Sequence, residues 1–352
     1  MVTGRKLDHI EISLKEDVQS RIKNGFDDIT FVHRALPGID RDDVDLTCDF
    51  FGKKIGAPII IAGMTGGHER AKEINRNLAL AAAELDIPMG VGSQRAAIED
   101  KKLSQTYSVA REAAPDIFLI GNLGAVQFSN GYGIKEAKKA VEMIGANALA
   151  VHLNSLQEAI MPEGDTDFKG ALEGLEKLRG LDVPVIAKET GAGIAMEEAK
   201  RIEKAGAMGI DVGGLGGTSF SAVEYYRRKG FETTFWDWGI PTAVSTIECI
   251  EGTKLNIMST GGIRNGLEVA KALSLGAVAC GIAHPLLSGA VKGKDGVLNT
   301  LNRVIEELKT AMFLVGARTV EELRNADIVI TGMTKDWLKN RGIDCKKYAS
   351  RG

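Results

Sequence analysis

From residue 58 onward the apolar positions fall into short unbroken runs: PIIIAGM at 58–64, IPMGVG at 87–92, IFLIGNLG at 117–124 and ALAVHLN at 148–154. VPVIAKE at 183–189, MGIDVGG at 208–214, LNIMSTGG at 255–262 and AVACGIA at 277–283 continue the series. Unbroken rather than alternating apolarity is what parallel strands covered on both faces require. Between the runs, apolar positions recur at helical spacing, as at 69–85, 134–144, 195–206 and 266–276. Gly206 and Gly276 sit where helix C-terminal stops are expected. Eight strand-then-helix units, mostly about 22 to 36 residues apart, predict an α/β fold, a (β/α)8 TIM barrel. A doubly wound open sheet, with about five to six strands, fits this count less well.

The flanks add to the barrel. Residues 17–22 predict a helix, and VDLTCDFFGKKIGAP at 44–58 predicts a hairpin closing the N-terminal end of the barrel. VLNTLNRVIEELKTAMFLVG at 297–316 predicts a last long helix, with short helical pieces after it. No linker interrupts the pattern. The expectation is one domain over 1–352: an extension over 1–57, the barrel over 58–316 and a C-terminal helical segment over 317–352.

Composition changes this picture mainly by exclusion. A formal net charge of −3 gives no reason to expect nucleic acid or a membrane surface as partner. The 42 glycines follow no fixed period, which excludes collagen and suits tight βα turns or phosphate loops. Cys48, Cys249, Cys280 and Cys345 lie far apart, without metal or redox spacing, and read as reduced thiols of a cytoplasmic protein. The first residues are charged throughout and carry no signal-peptide core. No run approaches the roughly 18 apolar residues of a membrane span.

A barrel of this kind places its active site at the C-terminal ends of its strands. Here those ends are polar or glycine-rich almost without exception. The first ends in Met64-Thr65-Gly66-Gly67, the second in Ser93-Gln94-Arg95 and the third in Asn122. The fourth ends in His152, Asn154, Gln157 and Glu158, and the fifth in Lys188-Glu189. GGLGGTS at 213–219 closes the sixth, Thr260-Gly261-Gly262-Ile263-Arg264 the seventh, and Gly281 to His284 the eighth. Gly261-Gly262 opens the next helix, where freed N–H groups and the helix dipole favour a phosphate and Arg264 can add a bidentate contact. A tight turn is the plain alternative. Lys188 reads as a Schiff-base lysine, as a cation beside a cofactor ring, or as a lysine snorkelling out of the strand. His152 as a satisfied core residue, Glu158 as a solvated helix-start carboxylate and Met64 as core filler are the corresponding plain readings. Position alone makes Arg5 to His9 an exposed, disordered terminus. Trp236 and Trp238 read as packing within a long loop.

Nine segments, in order, resemble the FMN-dependent type II isopentenyl-diphosphate isomerases. They are Arg5-Lys6-x-x-His9, MTGG (64–67), GSQR (92–95), GNLGAVQ (121–127), HLNSLQE (152–158), KETGAG (188–193), GGTSF (216–220), DWGIPT (237–242) and STGGIRNG (259–266). The resemblance implies a barrel that interconverts isopentenyl and dimethylallyl diphosphate with reduced FMN and Mg2+, NAD(P)H serving only to reduce the flavin. It implies flavin contacts at Met64, Thr65, Ser93, Asn122, Lys188 and Thr218, and an FMN-phosphate cradle at Gly261, Gly262, Arg264 and Ala283. It further implies diphosphate and substrate contacts at Arg5, Lys6, His9, Ser93, Arg95, His152 and Asn154. Gln157 is implied as a substrate-contacting proton relay, and Glu158 as the Mg2+ ligand. The basic N-terminal segment would then close over the diphosphate, and the chain would assemble as a homo-tetramer or homo-octamer. Two positions depart from the family: Phe220 stands where tryptophan is frequent, and His284 where a less polar residue or arginine is expected.

The chemistry asked of such a site is protonation of an unactivated alkene beside loss of a neighbouring proton. An electron-rich reduced flavin can stabilise the resulting cationic character and exchange the proton, with no net redox change. Three rivals remain at this level. A 2-hydroxy-acid oxidase needs a histidine base and an arginine, and the sixth strand end offers no histidine. An inosinate-type dehydrogenase needs a nucleophilic cysteine in that region, where neither Cys249 nor Cys280 falls. A non-catalytic binding barrel would have little use for polar groups at every strand end.

Overall fold

The computed structural model describes residues 2–228 and 234–351, with side chains from Leu7 onward. Among these residues there are twelve strands. The first three precede the barrel: β1 (Ile29–Phe31), β2 (Cys48–Phe50) and β3 (Lys53–Ile55). The barrel comprises β4 (Ile59–Ile61), β5 (Met89–Gly90), β6 (Leu119–Gly124), β7 (Ala148–Leu153), β8 (Val185–Glu189), β9 (Gly209–Asp211), β10 (Asn256–Thr260) and β11 (Ala279–Ile282). β12 (Ile328–Ile330) follows it. β4 to β11 pair in parallel and in chain order, and β11 returns to β4 to close the (β/α)8 TIM barrel. All eight apolar runs supplied a barrel strand.

The period of two along each strand explains the layers. In β4, Ile59 and Ile61 face the surrounding helices, and Ile60 faces the barrel interior with Ile120, Ala150, Ile186 and Met258. The β2–β3 hairpin closes the N-terminal end, as expected, with Phe50 and Ile55 packed against Phe118 in the same interior cluster. Two residues further along, the inward positions change from apolar to polar: Asn122 after Ile120, His152 after Ala150, Lys188 after Ile186 and Thr260 after Met258. The pleat that fills the barrel's lower half with aliphatic side chains thus delivers a polar layer to its upper rim.

The helices Glu69–Leu85 and Ile134–Ile144 match the sequence pattern residue for residue. Gly206 and Gly276 cap their helices in the left-handed region, at φ 97° and 119°. The helix Lys294–Val315 covers the predicted last long helix.

Two expectations are corrected. Residues 17–22 are not a helix; the helix runs over Val2–Lys15 instead, so Arg5 to His9 do not form an irregular terminus. Tertiary contacts override the local pattern at 17–22. Val18 is fully buried against Ala222, Val223 and Trp236, its carbonyl accepts from Ser219 N–H at 2.8 Å, and Ser20 N–H donates to Gly217 O at 2.8 Å. The segment after residue 316 is not helical throughout, because β12 pairs antiparallel with β1 in a two-stranded sheet outside the barrel. Ile328 and Ile330 bury their side chains there while Val329 faces outward. No described helix is long and apolar enough to cross a membrane.

Candidate functional site

A cavity of about 320 Å³ opens at the C-terminal rim of the barrel, roofed on one side by the helix Val2–Lys15. Its wall on the β9–β11 side is built of glycine. Gly261 and Gly262 have φ of 113° and 73°, values that favour glycine. A side chain at Gly261 would strike the backbone of Gly214, and one at Gly262 the backbone of Gly216. The loops after β9 and β10 therefore lie backbone against backbone, with Thr218, Arg264 and Ala283 at the cavity margin. The extended segment after the first helix braces them. Asn24 Nδ2 donates to Gly262 O at 2.8 Å and to Glu268 Oε1 at 2.9 Å, Glu268 Oε2 accepts from Arg264 N–H at 2.7 Å, and the Arg264 guanidinium meets Gln19 Oε1.

Opposite the glycines stands the polar layer. Asn122 Nδ2 donates to Val91 O at 3.1 Å, so its Oδ1 is the acceptor facing His152 Nδ1 at 2.8 Å. That places a proton on Nδ1. Lys188 Nζ donates to Glu189 O at 2.9 Å and lies 3.8 Å from Asp211 Oδ2. Asp211 Oδ1 accepts from the Thr260 hydroxyl, whose oxygen accepts from Gly213 N–H at 2.9 Å. Met64 and Thr65 line the far side, where Gly92 N–H donates to Thr65 O at 2.9 Å. The Ser93 carbonyl accepts from the Tyr107 hydroxyl at 2.6 Å, and burial pushes that phenol's pKa well up.

At the end of β7 the chain turns into the helix Ser155–Ile160, which explains the crowding of polar residues there. Asn154 is 3% exposed and Glu158 7%. Asn154 Nδ2 donates to Gln157 Oε1 at 3.1 Å and to Glu158 Oε1 at 2.9 Å, and Glu158 Oε2 accepts from Asp165 N–H at 2.8 Å. Because both neighbours are acceptors, the amide orientation is fixed, and among the described residues Asn154 Oδ1 is buried without a donor. An unanswered buried acceptor beside a carboxylate suits a cation. Among the described residues no group of three or more His, Cys, Asp or Glu gathers as a self-sufficient metal site, so any ion here would depend on other oxygens.

Arg95 also lines the cavity, with its Nε on Glu99 Oε1 at 2.7 Å. His9 enters from the roof, its Nε2 3.0 Å from Glu224 Oε1 and its ring edge-on to Phe220 at 6.2 Å. Of the expected site residues, all with described side chains line this one cavity: His9, Met64, Thr65, Ser93, Arg95 and Asn122 from the roof and first three strands, then His152, Asn154, Gln157, Glu158 and Lys188. Thr218, Gly261, Gly262, Arg264 and Ala283 complete the set. The side chains of Arg5 and Lys6 lie outside the described residues. Of the two departures, Phe220 lines the wall and His284 Nε2 meets the Ser13 carbonyl at 2.8 Å, tying the roof helix down. Trp236 packs on Tyr225 and Tyr226 and donates Nε1–H to Gln19 O at 2.9 Å, a packing role.

Sequence reasoning assigned no role to Glu224, Asp211 or Gln127, and placed Thr260 at its strand end without a partner. Asp211, an acid inside the apolar run MGIDVGG, carried a readable signal, since a buried carboxylate needs a partner. Glu224 carried none, its partner being 215 residues away.

Two of the three rivals lose their chemistry in this geometry. The loop after β9 is rich in glycine and offers no histidine base. Cys249 and Cys280 are fully buried, and desolvation pushes the Cys249 thiol up to about 12 and Cys280 higher still, so neither is a nucleophile.

A family model described as FMN-dependent dehydrogenase matches residues 7–113 and 171–330. The isopentenyl-diphosphate delta-isomerase of Thermococcus kodakarensis is 54% identical, the match covering 98% of this chain and 95% of that protein. The isopentenyl-diphosphate delta-isomerase of Methanothermobacter thermautotrophicus is 48% identical, covering 100% of each chain. Among solved structures, mandelate oxidase with (S)-2-phenylpropionate superposes with a TM-score of 0.63 at 22% identity, over 92% of this chain and 94% of that one. At that identity the likeness speaks for the fold.

Proposed function

We propose a mechanism from one premise: this chain belongs to the type II, FMN-dependent isopentenyl-diphosphate delta-isomerases. It is an isomerase, and FMN is its flavin. The residues fit the cofactor, since the glycine wall leaves N–H groups and space where any Cβ would intrude. In this reading Gly261, Gly262, Arg264 and Ala283 hold the FMN phosphate, and Met64, Thr65, Ser93, Asn122 and Thr218 border the ring with Lys188 as the adjacent cation. Reduced FMN, when bound, supplies an electron-rich face and a proton donor–acceptor beside the alkene, and NAD(P)H serves only to reduce it.

The protein's own residues do the rest. His152 and Asn154, two apart in sequence, reach the same side of the cavity and orient the substrate with Ser93 and Arg95. Glu158 would hold Mg2+, whose charge would offset that of the diphosphate, and Arg5, Lys6 and His9 would meet the remaining negative charge. Gln157 holds the migrating proton's path: its Oε1 is fixed by Asn154, so its amide N–H is presented rather than left to rotate. The helix Val2–Lys15 excludes water, which cationic character at carbon requires.

One observation carries the reading: the glycine wall and the Asn154–Gln157–Glu158 group face each other across one cavity. Glu158→Gln tests it. The variant should need at least about tenfold more Mg2+ for half-maximal isomerisation, with FMN affinity unchanged. An unchanged Mg2+ requirement would remove Glu158 from the metal site.

A further inference from the structure

Beneath the main cavity lies a smaller chamber inside the barrel, of about 20 Å³, with Lys188, Asp211 and Asn122 as its polar walls and Ile60, Ile120 and Ile186 among its apolar ones. That is room for one water with polar partners. Lys188 and Asp211 are register partners on β8 and β9, so both point inward at the same height. Their side chains are 15% and 12% exposed, and no part of the mechanism above uses Asp211. Asp211 is not free to move. One oxygen is fixed by the Thr260 hydroxyl, which is itself fixed by Gly213 N–H, and Gly213 lines the main cavity. Lys188 Nζ is therefore held between the Glu189 carbonyl above its own strand and a carboxylate anchored on the next two.

We propose that Asp211 is a positioning residue that holds the Lys188 ammonium at the floor of the flavin site and offsets part of its charge. The inference rests on the reading that Lys188 stands beside the flavin. A cation there favours the electron-rich reduced flavin; a carboxylate 3.8 Å behind it weakens that bias and fixes where it acts. The pair thus sets the poise of the cofactor, a quantity separable from turnover.

The test is the midpoint potential of FMN bound to the full-length protein, measured by dye equilibration for wild type, Asp211→Asn, Lys188→Gln and the double variant. Asparagine keeps the acceptor for Thr260, so the fold is expected to survive; should it not, Asp211→Ser, which also keeps an acceptor, replaces it. Lys188→Gln should lower the potential and Asp211→Asn should raise it. In the Lys188→Gln background the Asp211→Asn shift should vanish or fall to a small residue. An Asp211→Asn potential equal to wild type overturns the proposal, as does a shift of the same size with and without Lys188. If Lys188→Gln itself leaves the potential unchanged, the placement of Lys188 beside the flavin fails, and this inference falls with it. A normal Lys188→Gln shift with a silent Asp211→Asn sinks only the role of Asp211.

Discussion

Glu224→Gln is the perturbation that isolates how the roof is held. Glu224 is 3% exposed and accepts from two donors, His9 Nε2 at 3.0 Å and Arg227 Nε at 2.7 Å, while Arg227 also reaches Glu163 at 2.7 Å. A carboxylate can only accept, so His9 Nε2 must donate to it. Glutamine keeps the volume but offers one acceptor oxygen and no charge, and the His9 contact becomes a neutral hydrogen bond. Charge-assisted bonds contribute about 1.5–3 kcal/mol and neutral ones about 0.5–1.5, so docking of the first helix should weaken by about 1–2 kcal/mol. That corresponds to roughly five- to thirtyfold more frequent opening. The buried Ile10 and the His284–Ser13 contact remain, so the helix should loosen rather than detach. Hydrogen exchange of the amides over residues 7–15 in the holoenzyme should accelerate by that factor, with barrel strands unaffected. The KM for isopentenyl diphosphate should rise in parallel. Unaltered exchange over residues 7–15 would refute the reasoning, because it would mean that the His9–Glu224 contact does not hold the roof.

Gly262→Ala forces a side chain onto φ 73° and against Gly216, and should weaken FMN at least about tenfold by flavin-fluorescence titration while the apoprotein still folds. Gln157→Ala should lower kcat strongly with little change in FMN affinity; unchanged turnover would remove Gln157 from the mechanism. Burial pushes the Glu189 carboxyl from 4.5 up to about 7, against hydrogen bonds from Ala192 and Gly191 N–H. Since its folded pKa is raised, the native state holds the proton longer than the unfolded chain. Its contribution to stability is then greatest below about 4.5 and falls as pH rises to about 7, by about 3 kcal/mol in all. The melting temperature of Glu189→Gln should lack that fall between pH 5 and about 7, and identical profiles for the two proteins would contradict the assignment.

The barrel was legible because parallel strands covered on both faces leave long apolar runs, and because Gly206 and Gly276 end helices in a conformation glycine favours. The strand ends were legible for a related reason: once the pleat is known, Asn122, His152 and Lys188 must point inward and upward. What the sequence hid was set at long range. Residues 17–22 have helical spacing, but Val18 is held by the β9 loop about two hundred positions later. β12 is three residues long and exists only because β1 lies alongside it. Glu224 sits in a short helix, Phe220–Arg227, and its meaning comes from His9 across the cavity mouth.

Isomerisation without net redox change is tested most directly by the fate of the hydride. Anaerobic protein with FMN, Mg2+, a trace of NADPH and isopentenyl diphosphate should form many molecules of dimethylallyl diphosphate for each NADPH consumed. One hydride spent on every product molecule, or no product from a flavin-loaded protein, would contradict it.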